Sequence, residues 1–163
     1  MREMRRKNQM LEKAECERIL TEATSGVLAL HGDEGYPYAV PLSFVYEDGK
    51  IYFHGARSGH KIDAIKRDPK ASFCVIDRDE VIPEKFTTHF RSVIVFGTVR
   101  IMEDDAEKRA AVKKLAQKYS PEESDESTEA EIEREWKALC MLEFTAEHIS
   151  GKEAIELVRM RDK

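Results

Sequence analysis

The sequence predicts a mainly β (α+β) fold, with six or seven antiparallel strands in a closed or nearly closed small barrel and peripheral helices. Two observations lead to this prediction. Short apolar or alternating segments recur along the chain between Gly, Pro and Asp turns, and amphipathic helical segments flank and interrupt them. Strands joined in this order favour an antiparallel sheet that curls onto itself. No internal repeat or low-complexity linker is present, so we expect residues 1–163 to form a single domain.

Composition is that of an ordinary globular protein, with 41% hydrophobic residues, 36% charged residues and a net charge of −5. A general nucleic-acid binder usually carries a basic excess. No apolar run approaches the roughly 18–20 residues of a membrane span, and the basic arm, residues 1–10, lacks the apolar stretch of a signal peptide. Three cysteines without CxxC spacing indicate reduced thiols. We therefore expect a cytoplasmic protein that binds neither nucleic acid nor membrane.

The first elements are a helix and two strands. Helical spacing predicts a helix over Leu11–Ala23 that ends at Gly26 and buries Leu11, Ala14, Ile19, Leu20 and Ala23. A short strand is predicted over Val27–His31. The longer strand that follows, Tyr36–Tyr46, contains two prolines, which confine it to a sheet edge or a bulge. Its backbone groups would then be open to a ligand or partner.

Asp48-Gly49 is the strongest hairpin signal in the chain. A two-residue loop there places Val45 opposite Tyr52, and Ser43 opposite His54. One face of this hairpin is then apolar and predicted to be core, with Val40, Leu42, Phe44, Tyr46, Ile51 and Phe53. The other face is mixed and suits a ligand or a subunit contact, with Pro41, Ser43, Val45, Tyr52 and His54.

The second half of the chain alternates between strands and helices. The strand 71–77 is almost continuously apolar and is predicted to be buried on both faces. Gly97 marks a bulge or a close backbone approach in a later strand, and Asp104 with Glu107 forms a capping-box-like helix start. The predicted elements are a connection at 78–89, a strand at 90–102, a helix at 104–119, an acidic loop and helix at 121–135, a strand at 139–144 extended by 147–150, and a C-terminal helix from 151.

An unusual charge pattern begins the helix that Asp68-Pro69 ends. With Ser58 as the predicted N-cap, Lys61 occupies the third helical position, where an acidic residue is usual. His60 lies beside it and Arg57 precedes it. Free backbone N–H groups and side-chain cations together form a phosphate site; the alternative is a surface basic cluster that tolerates about 0.3–1 kcal/mol of unfavourable dipole energy. No Walker-type loop and no GxGxxG accompany the pattern.

Ser43 and His54 form a second candidate pair. A Ser–His pair is typical of acyl transfer, but no acidic residue is available locally to orient the imidazole, and there is no nucleophile elbow. A structural histidine or a ligand contact are the alternatives. Arg91 and Ser92 begin a long strand as a possible ligand contact or an ordinary rim, and Trp136 is expected to anchor the core or an interface. The histidines show no metal-binding spacing, so no metal site is predicted.

The chain resembles the FMN-binding split β-barrels related to pyridoxamine 5′-phosphate oxidase, nearest the nitroimidazole-resistance (Nim-type) branch. The resemblance is strongest in YPYAVPLSFVYEDGKIYFHGARSGHKIDAIKRDP (residues 36–69) and RSVIVFG (residues 91–97), and extends from about Gly26 to Gly151. It implies a six- to seven-stranded antiparallel split barrel. It also implies a homodimer that holds two FMN molecules, each in a cleft between the subunits.

The resemblance further implies which residues contact the cofactor. The strand around Val40–Ser43 would run along the isoalloxazine ring, and His60 with Lys61 would bind the phosphate. His54 would contact the flavin or the substrate and is the candidate catalytic residue. Arg91 and Ser92 would reach the flavin from the other subunit. The full implied set is Val40, Pro41, Leu42, Ser43, His54, Gly55, Ala56, Arg57, His60, Lys61, Arg91, Ser92 and Val93.

The implied function is a flavin-dependent oxidoreductase that reduces a small acceptor, for example a nitroimidazole or another nitroaromatic. The chain departs from the oxidases at Ala39 and Phe44, where those enzymes carry basic residues, and Trp136 is followed by Lys137 instead of by the Arg of their substrate-binding motif. The alternatives are a pyridoxamine 5′-phosphate oxidase-like enzyme, a non-catalytic flavin- or haem-binding protein, and an interaction module whose cleft stays empty.

Overall fold

The computed structural model describes residues 1–163 and contains one seven-stranded antiparallel sheet with five α-helices. The strands are β1 (Gly26–His31), β2 (Pro37–Leu42), β3 (Val45–Glu47), β4 (Lys50–Ala56), β5 (Lys70–Ile82), β6 (Thr87–Ile101) and β7 (Leu139–Glu153). The helices are α1 (Lys13–Glu22), α2 (His60–Arg67), α3 (Asp105–Tyr119), α4 (Asp125–Glu135) and α5 (Ile155–Arg161). None of these helices combines the length and the apolar character needed to cross a membrane.

The sheet is an open barrel whose two edges are joined by the chain itself. Its strand order is β2-β1-β5-β6-β7-β4-β3, so β2 and β3 form opposite edges. They are consecutive in sequence, with only Ser43 and Phe44 between them. The sheet must therefore curl until its edges lie side by side, although no ladder of hydrogen bonds closes it. The predicted split-barrel α+β fold is confirmed.

The barrel interior is filled by aromatic and aliphatic side chains from both edges and from the centre of the sheet. The Phe44 and Phe53 rings meet Phe73 edge to face, at centroid distances of 4.8 and 5.2 Å. All three are fully buried, and such edge-to-face pairs add about 0.5–1.5 kcal/mol beyond the burial of their surface. Ile19 and Leu20 of α1 close one end of this core. The predicted apolar face of the hairpin is confirmed as core.

Two glycines permit close packing between the strands. Gly97 lies at a register shift between β6 and β7, as predicted, and a Cβ there would stand 2.0 Å from the Thr145 carbonyl oxygen. Gly26 opens β1, and a Cβ there would stand 2.3 Å from Cζ of Phe73. Gly26 is thus required by the core, and its prediction as the stop of α1 is wrong. The helix ends three residues earlier, at the cap Ala23.

Several predicted boundaries change because long-range pairing overrides local signals. The strand predicted over 36–46 splits at Ser43 and Phe44, where the chain crosses from one sheet edge to the other. Residues 78–89, predicted as a connection, instead extend β5 and β6 into a long hairpin around a 3₁₀ turn at Pro83–Lys85. Gly151, predicted to start the last helix, lies inside β7. Ala14, predicted to be buried, is exposed.

The acidic segment becomes loop and then helix, as predicted, with α4 packed beside α3. Asp104 caps α3 by accepting a hydrogen bond from the Glu107 backbone N–H at 2.9 Å. The two helices are joined by ion pairs, with Arg109 bound to Glu129 at 2.8 Å and to Glu133 at 2.5 Å. Part of the negative charge of α4 is thus neutralised by α3.

The outer face of strands β1, β5 and β6 remains apolar and open in the single chain. Phe73 and Val75 of β5 are fully buried, but Ile76 is 66% exposed. The prediction that segment 71–77 is buried on both faces is therefore wrong for one chain alone. The exposed apolar side chains on this outer face are Val27, Ile76, Ile94 and Phe96.

Candidate functional site

The start of helix α2 approaches two strands that lie far apart in the strand order of the sheet, β2 and β4. Its N-cap is Gly59, with φ of 132° and no side-chain hydrogen bond, so the prediction of Ser58 as N-cap is wrong. A backbone in that region of φ strongly favours glycine. With Gly59 as N-cap, the helix begins at His60, one residue later than predicted. Lys61 is consequently the second helical residue, and Asp63 also lies in the first turn. The N–H groups of His60, Lys61 and Ile62 have no partner within the helix and point out of its N-terminus, whereas the Asp63 N–H donates to the Gly59 carbonyl at 3.1 Å.

The side chains of His60 and Lys61 diverge from the start of α2. The His60 ring stacks on Tyr38 of β2, with centroids 3.9 Å apart and planes at 24°, and its Nε2 lies 3.8 Å from Asp33 Oδ2. Lys61 turns the opposite way, towards β4, where its Nζ would stand 3.0 Å from a Cβ at Gly55. A side chain at Gly55 would therefore crowd this ammonium against the strand. Of the two predicted phosphate ligands, Lys61 therefore has the free cationic group, whereas the His60 ring packs on β2.

Arg57, the third predicted cation, is tied to the end of α4. Its guanidinium donates to the carbonyl oxygen of Trp136 at 3.3 Å, and Lys108 Nζ donates to the same oxygen at 3.3 Å. The Lys108 ammonium also lies 4.1 Å from the centroid of the Trp136 ring. Burial lowers the pKa of Lys108, and the positive charge of Arg57 lowers it further. Trp136 thus anchors α4 to the loop before α2, beside Gly55 and Ala56.

Ser43 and His54 share one cavity of about 890 Å³ but do not form a catalytic dyad. The β3–β4 ladder ends at the Val45–Tyr52 pair, so the predicted opposition of Ser43 and His54 is not formed. Both side chains are exposed, and no hydrogen bond joins them or links His54 to a carboxylate. The acyl-transfer geometry, which needs a hydrogen-bonded serine and histidine, is absent.

The chain crossing at Ser43 and Phe44 is held by the C-terminal end of α3. Phe44 has no ladder partner, and its N–H donates to the Tyr119 hydroxyl at 2.8 Å. The Phe44 carbonyl lies 2.7 Å from that hydroxyl and accepts from Lys118 Nζ at 2.9 Å. Lys118 Nζ also donates to the Ala23 carbonyl at 2.5 Å. Burial lowers the pKa of Lys118 to about 8.

This clamp of Lys118 and Tyr119 was not predicted from the sequence. Their local sequence indicates only the end of a helix. No local signal links them to Phe44, which lies 75 residues before Tyr119 and connects the two sheet edges. The clamp fixes the backbone just after Val40, Pro41 and Leu42. Pro41 is exposed, while Val40 and Leu42 are half-buried against the core. Because β2 pairs only with β1, its other edge is open, as its prolines predicted.

Arg91, Ser92 and Val93 lie at the far end of the sheet from His54. Strand β7 pairs with both groups, since Arg91 pairs with Glu153 and His54 pairs with Met141. These two β7 residues are twelve positions apart, which is roughly 40 Å along an extended strand. The Arg91 guanidinium binds Glu153 at 3.1 Å and Asp77 at 3.2 Å. The Val93 side chain is fully buried in the core. Within one chain these residues are not brought together with His54 and Lys61.

The family of the chain follows from a sequence profile. The profile described as pyridoxamine 5′-phosphate oxidase matches residues 12–153, a span that runs from α1 to the end of β7 and includes every strand of the barrel. The chain belongs to the pyridoxamine 5′-phosphate oxidase family. No curated protein matches it.

Solved structures share the fold of this family member at low sequence identity. A conserved hypothetical protein from Mycobacterium tuberculosis is 19% identical, covering 93% of this chain and 90% of its own, with a TM-score of 0.80. An FAD and heme binding protein from Mycobacterium smegmatis is 22% identical, covering 91% and 74%, with a TM-score of 0.74. A proposed 5-nitroimidazole antibiotic resistance protein from Bacteroides thetaiotaomicron is 23% identical, covering 88% and 86%, with a TM-score of 0.72. These structures therefore confirm the split-barrel fold of the chain.

Proposed function

We propose that this family member is a dimeric cytoplasmic flavoprotein that binds FMN and passes electrons to a small acceptor such as a nitroaromatic compound. The observation that carries the proposal is the placement of Lys61. Its ammonium lies beside Gly55, one residue beyond His54 on β4, and Lys61 itself belongs to the first turn of α2, where backbone N–H groups are free. A phosphate and a planar ring could thus be held at neighbouring points of one strand.

The residues present fit a flavin mononucleotide. Lys61 and the first-turn N–H groups of α2, including that of His60, would hold the phosphate. The open edge of β2 at Val40–Ser43 would line the ring, and the exposed His54 would contact the flavin or the substrate. The bound flavin would supply the electron-transfer chemistry. The protein would hold the ring and tune it through these neighbours.

The first test is whether the protein binds flavin. Purified protein, or protein reconstituted with FMN, is expected to be yellow and to release flavin absorbance on denaturation. Reduction of the bound flavin by a nicotinamide donor, followed by reoxidation by a nitroaromatic, would support the enzyme. A bound flavin that no donor and acceptor can turn over would favour a non-catalytic binder, and a protein that takes up no FMN would refute the proposal.

Lys61→Met tests the phosphate site itself. Loss of one charge-assisted contact of about 1.5–3 kcal/mol should weaken FMN binding by about 10- to 150-fold. Riboflavin has no phosphate, so its affinity should stay within about twofold. Lys66→Met is the matched control, because Lys66 is an exposed lysine in the last turn of the same helix. Equal loss of FMN and riboflavin, measured by flavin fluorescence titration, would contradict a phosphate role for Lys61.

The proposed homodimer is supported by the open apolar face of β1, β5 and β6. Val27 pairs with Cys74, and Cys74 with Ile94, so the exposed side chains form a continuous row across the middle of the sheet. Contiguous apolar surface of this kind is typical of an interface. A partner on this face would bring a second copy of Arg91 and Ser92 near the first chain, which fits their separation from His54 within one chain.

Ile76→Glu tests the dimer. Ile76 is 66% exposed in one chain, so the substitution should leave the monomer folded but place a charge within the proposed interface. Sedimentation velocity should show a dimer for the wild type and a shift to monomer for Ile76→Glu, with weaker FMN binding. Met160→Glu, at a position 55% exposed on α5, is the control and should remain dimeric. A wild-type monomer that binds FMN would refute the interface.

A further inference from the structure

A cavity of about 890 Å³ adjoins the proposed flavin strand and is separate from the α2 phosphate site. Ser43 and His54 form its inner wall, and α3 and α4 form the walls on either side. Its size falls within the roughly 300–1,000 Å³ of small-molecule sites. A larger cavity of about 1090 Å³ lies between the N-terminal arm and β7 and reaches neither Ser43 nor His54. The smaller cavity is therefore the one placed to receive a molecule beside the flavin.

The lining of this cavity combines apolar side chains with hydroxyl and carboxylate groups. Val112 and Leu115 of α3 face Ile132 of α4, with Leu139 beside them. Its hydroxyl groups include that of Ser127, which donates to Glu123 at 3.2 Å. Three carboxylates also line the cavity, those of Glu123, Glu131 and Glu135, whereas no lysine or arginine lines it.

Two of these carboxylates are partly neutralised from outside the cavity. Arg134 binds Glu131 at 2.6 Å and lies 3.6 Å from Glu135. It offsets about one of the three negative charges, so the cavity remains negative. Two further acidic residues of α4, Glu129 and Glu133, bind Arg109 of α3 instead. The helix thus presents one acidic side to α3 and another to the cavity.

We propose that this cavity is the acceptor pocket and that it selects small aromatic molecules that are cationic over anions of the same size. The inference rests on the proposed function and specifies its substrate class. An aromatic ring would pack on the apolar wall while an ammonium group faces the carboxylates. No cationic side chain in the pocket could bind the phosphate of a phosphorylated substrate. The pocket therefore differs from one that would bind pyridoxamine 5′-phosphate.

The test uses three probes of one shape: 4-nitrobenzylammonium, neutral 4-nitrobenzyl alcohol and 4-nitrobenzoate. Their dissociation constants from the FMN-loaded protein are measured by perturbation of the flavin absorbance at low salt. We expect the ammonium to bind at least about fivefold more tightly than the carboxylate, with the alcohol between them. The preference should shrink at 0.5 M salt, where the Debye length is only about 4 Å.

Two variants locate the effect in this cavity. Glu135→Gln and Glu123→Gln should each lower the ammonium affinity by about twofold and raise the carboxylate affinity by a similar factor. Glu126→Gln, which removes the same charge from the same helix but does not line the cavity, should change neither. Equal affinities for the three probes, or equal effects of all three variants, would overturn the inference while flavin binding stays intact. Failure to bind FMN at all is read separately from the flavin absorbance and would refute the proposed function instead.

Discussion

Tyr119→Phe removes a single hydroxyl from the clamp that holds the crossing between β2 and β3. That hydroxyl accepts from the Phe44 N–H at 2.8 Å, and it lies 2.6 Å from the Thr24 carbonyl and 2.7 Å from the Phe44 carbonyl. Phe44 is fully buried. The substitution keeps the aromatic ring and its packing, so any effect reports on the hydroxyl.

The expected loss can be worked from these contacts. A buried N–H left without an acceptor costs about 1–3 kcal/mol, and a lost donor to a carbonyl costs about 0.5–1.5 kcal/mol. The Phe44 carbonyl still accepts from Lys118, and the cavity beside Tyr119 allows water to reach the site. Both effects place the total loss of stability near the lower end of the sum of these two ranges. We expect about 2 kcal/mol, equivalent to a fall of about 4–8 °C in Tm for a domain of this size.

The assay is equilibrium urea unfolding followed by circular dichroism, with Tyr36→Phe as the control. Tyr36 is 71% exposed, so its hydroxyl should contribute less than about 0.5 kcal/mol. FMN affinity should also fall in Tyr119→Phe, because the strand proposed to line the ring ends at this crossing. A Tyr119→Phe free energy of unfolding within 0.5 kcal/mol of the wild type would refute the clamp.

Two further predictions concern stability. Gly97→Ala places a Cβ 2.0 Å from the Thr145 carbonyl oxygen and should cost more than about 3 kcal/mol; a urea midpoint close to that of the wild type would contradict the packing at this bulge. Burial lowers the pKa of Lys118 from 10.5 to about 8, so the unfolded chain binds more protons between these values and stability should rise with pH across that window. Lys118→Met should remove this rise, which stays below about 3 kcal/mol because the side chain remains partly in water; superimposable stability–pH profiles of the two proteins would contradict it.

Much of the fold was predictable because its signals are local. The Asp48-Gly49 turn determined the register of Val45 with Tyr52, and Asp104 capped α3 as its sequence indicated. Gly97 was correctly predicted to mark a bulge or a close backbone approach, because glycine inside a strand often marks such a site. These features depend on backbone conformation within a few residues, which side-chain type largely determines.

The candidate site was only partly predictable. The cationic residues at the start of α2 could be recognised in the sequence, but the sequence did not indicate which of their side chains remains available to a ligand. The Lys61 ammonium approaches β4 at Gly55, while His60 turns to Tyr38 on the edge strand β2. Likewise, Ser43 and His54 were expected to pair across a ladder, and they instead share a cavity that α3 and α4 complete.

The sequence by itself determined the strand-rich α+β class, the hairpin, the Asp104 cap of α3 and the unusual charge at α2, since each depends on neighbours within one turn or one strand. Only the tertiary structure decided the split of the strand over residues 36–46, the clamp of Phe44 by Lys118 and Tyr119, and the acidic pocket against α4. Those features join segments separated by tens of residues, and their contacts form only when the curled sheet brings its two edges together. Local patterns therefore specified the parts, and sheet closure decided which side chains meet.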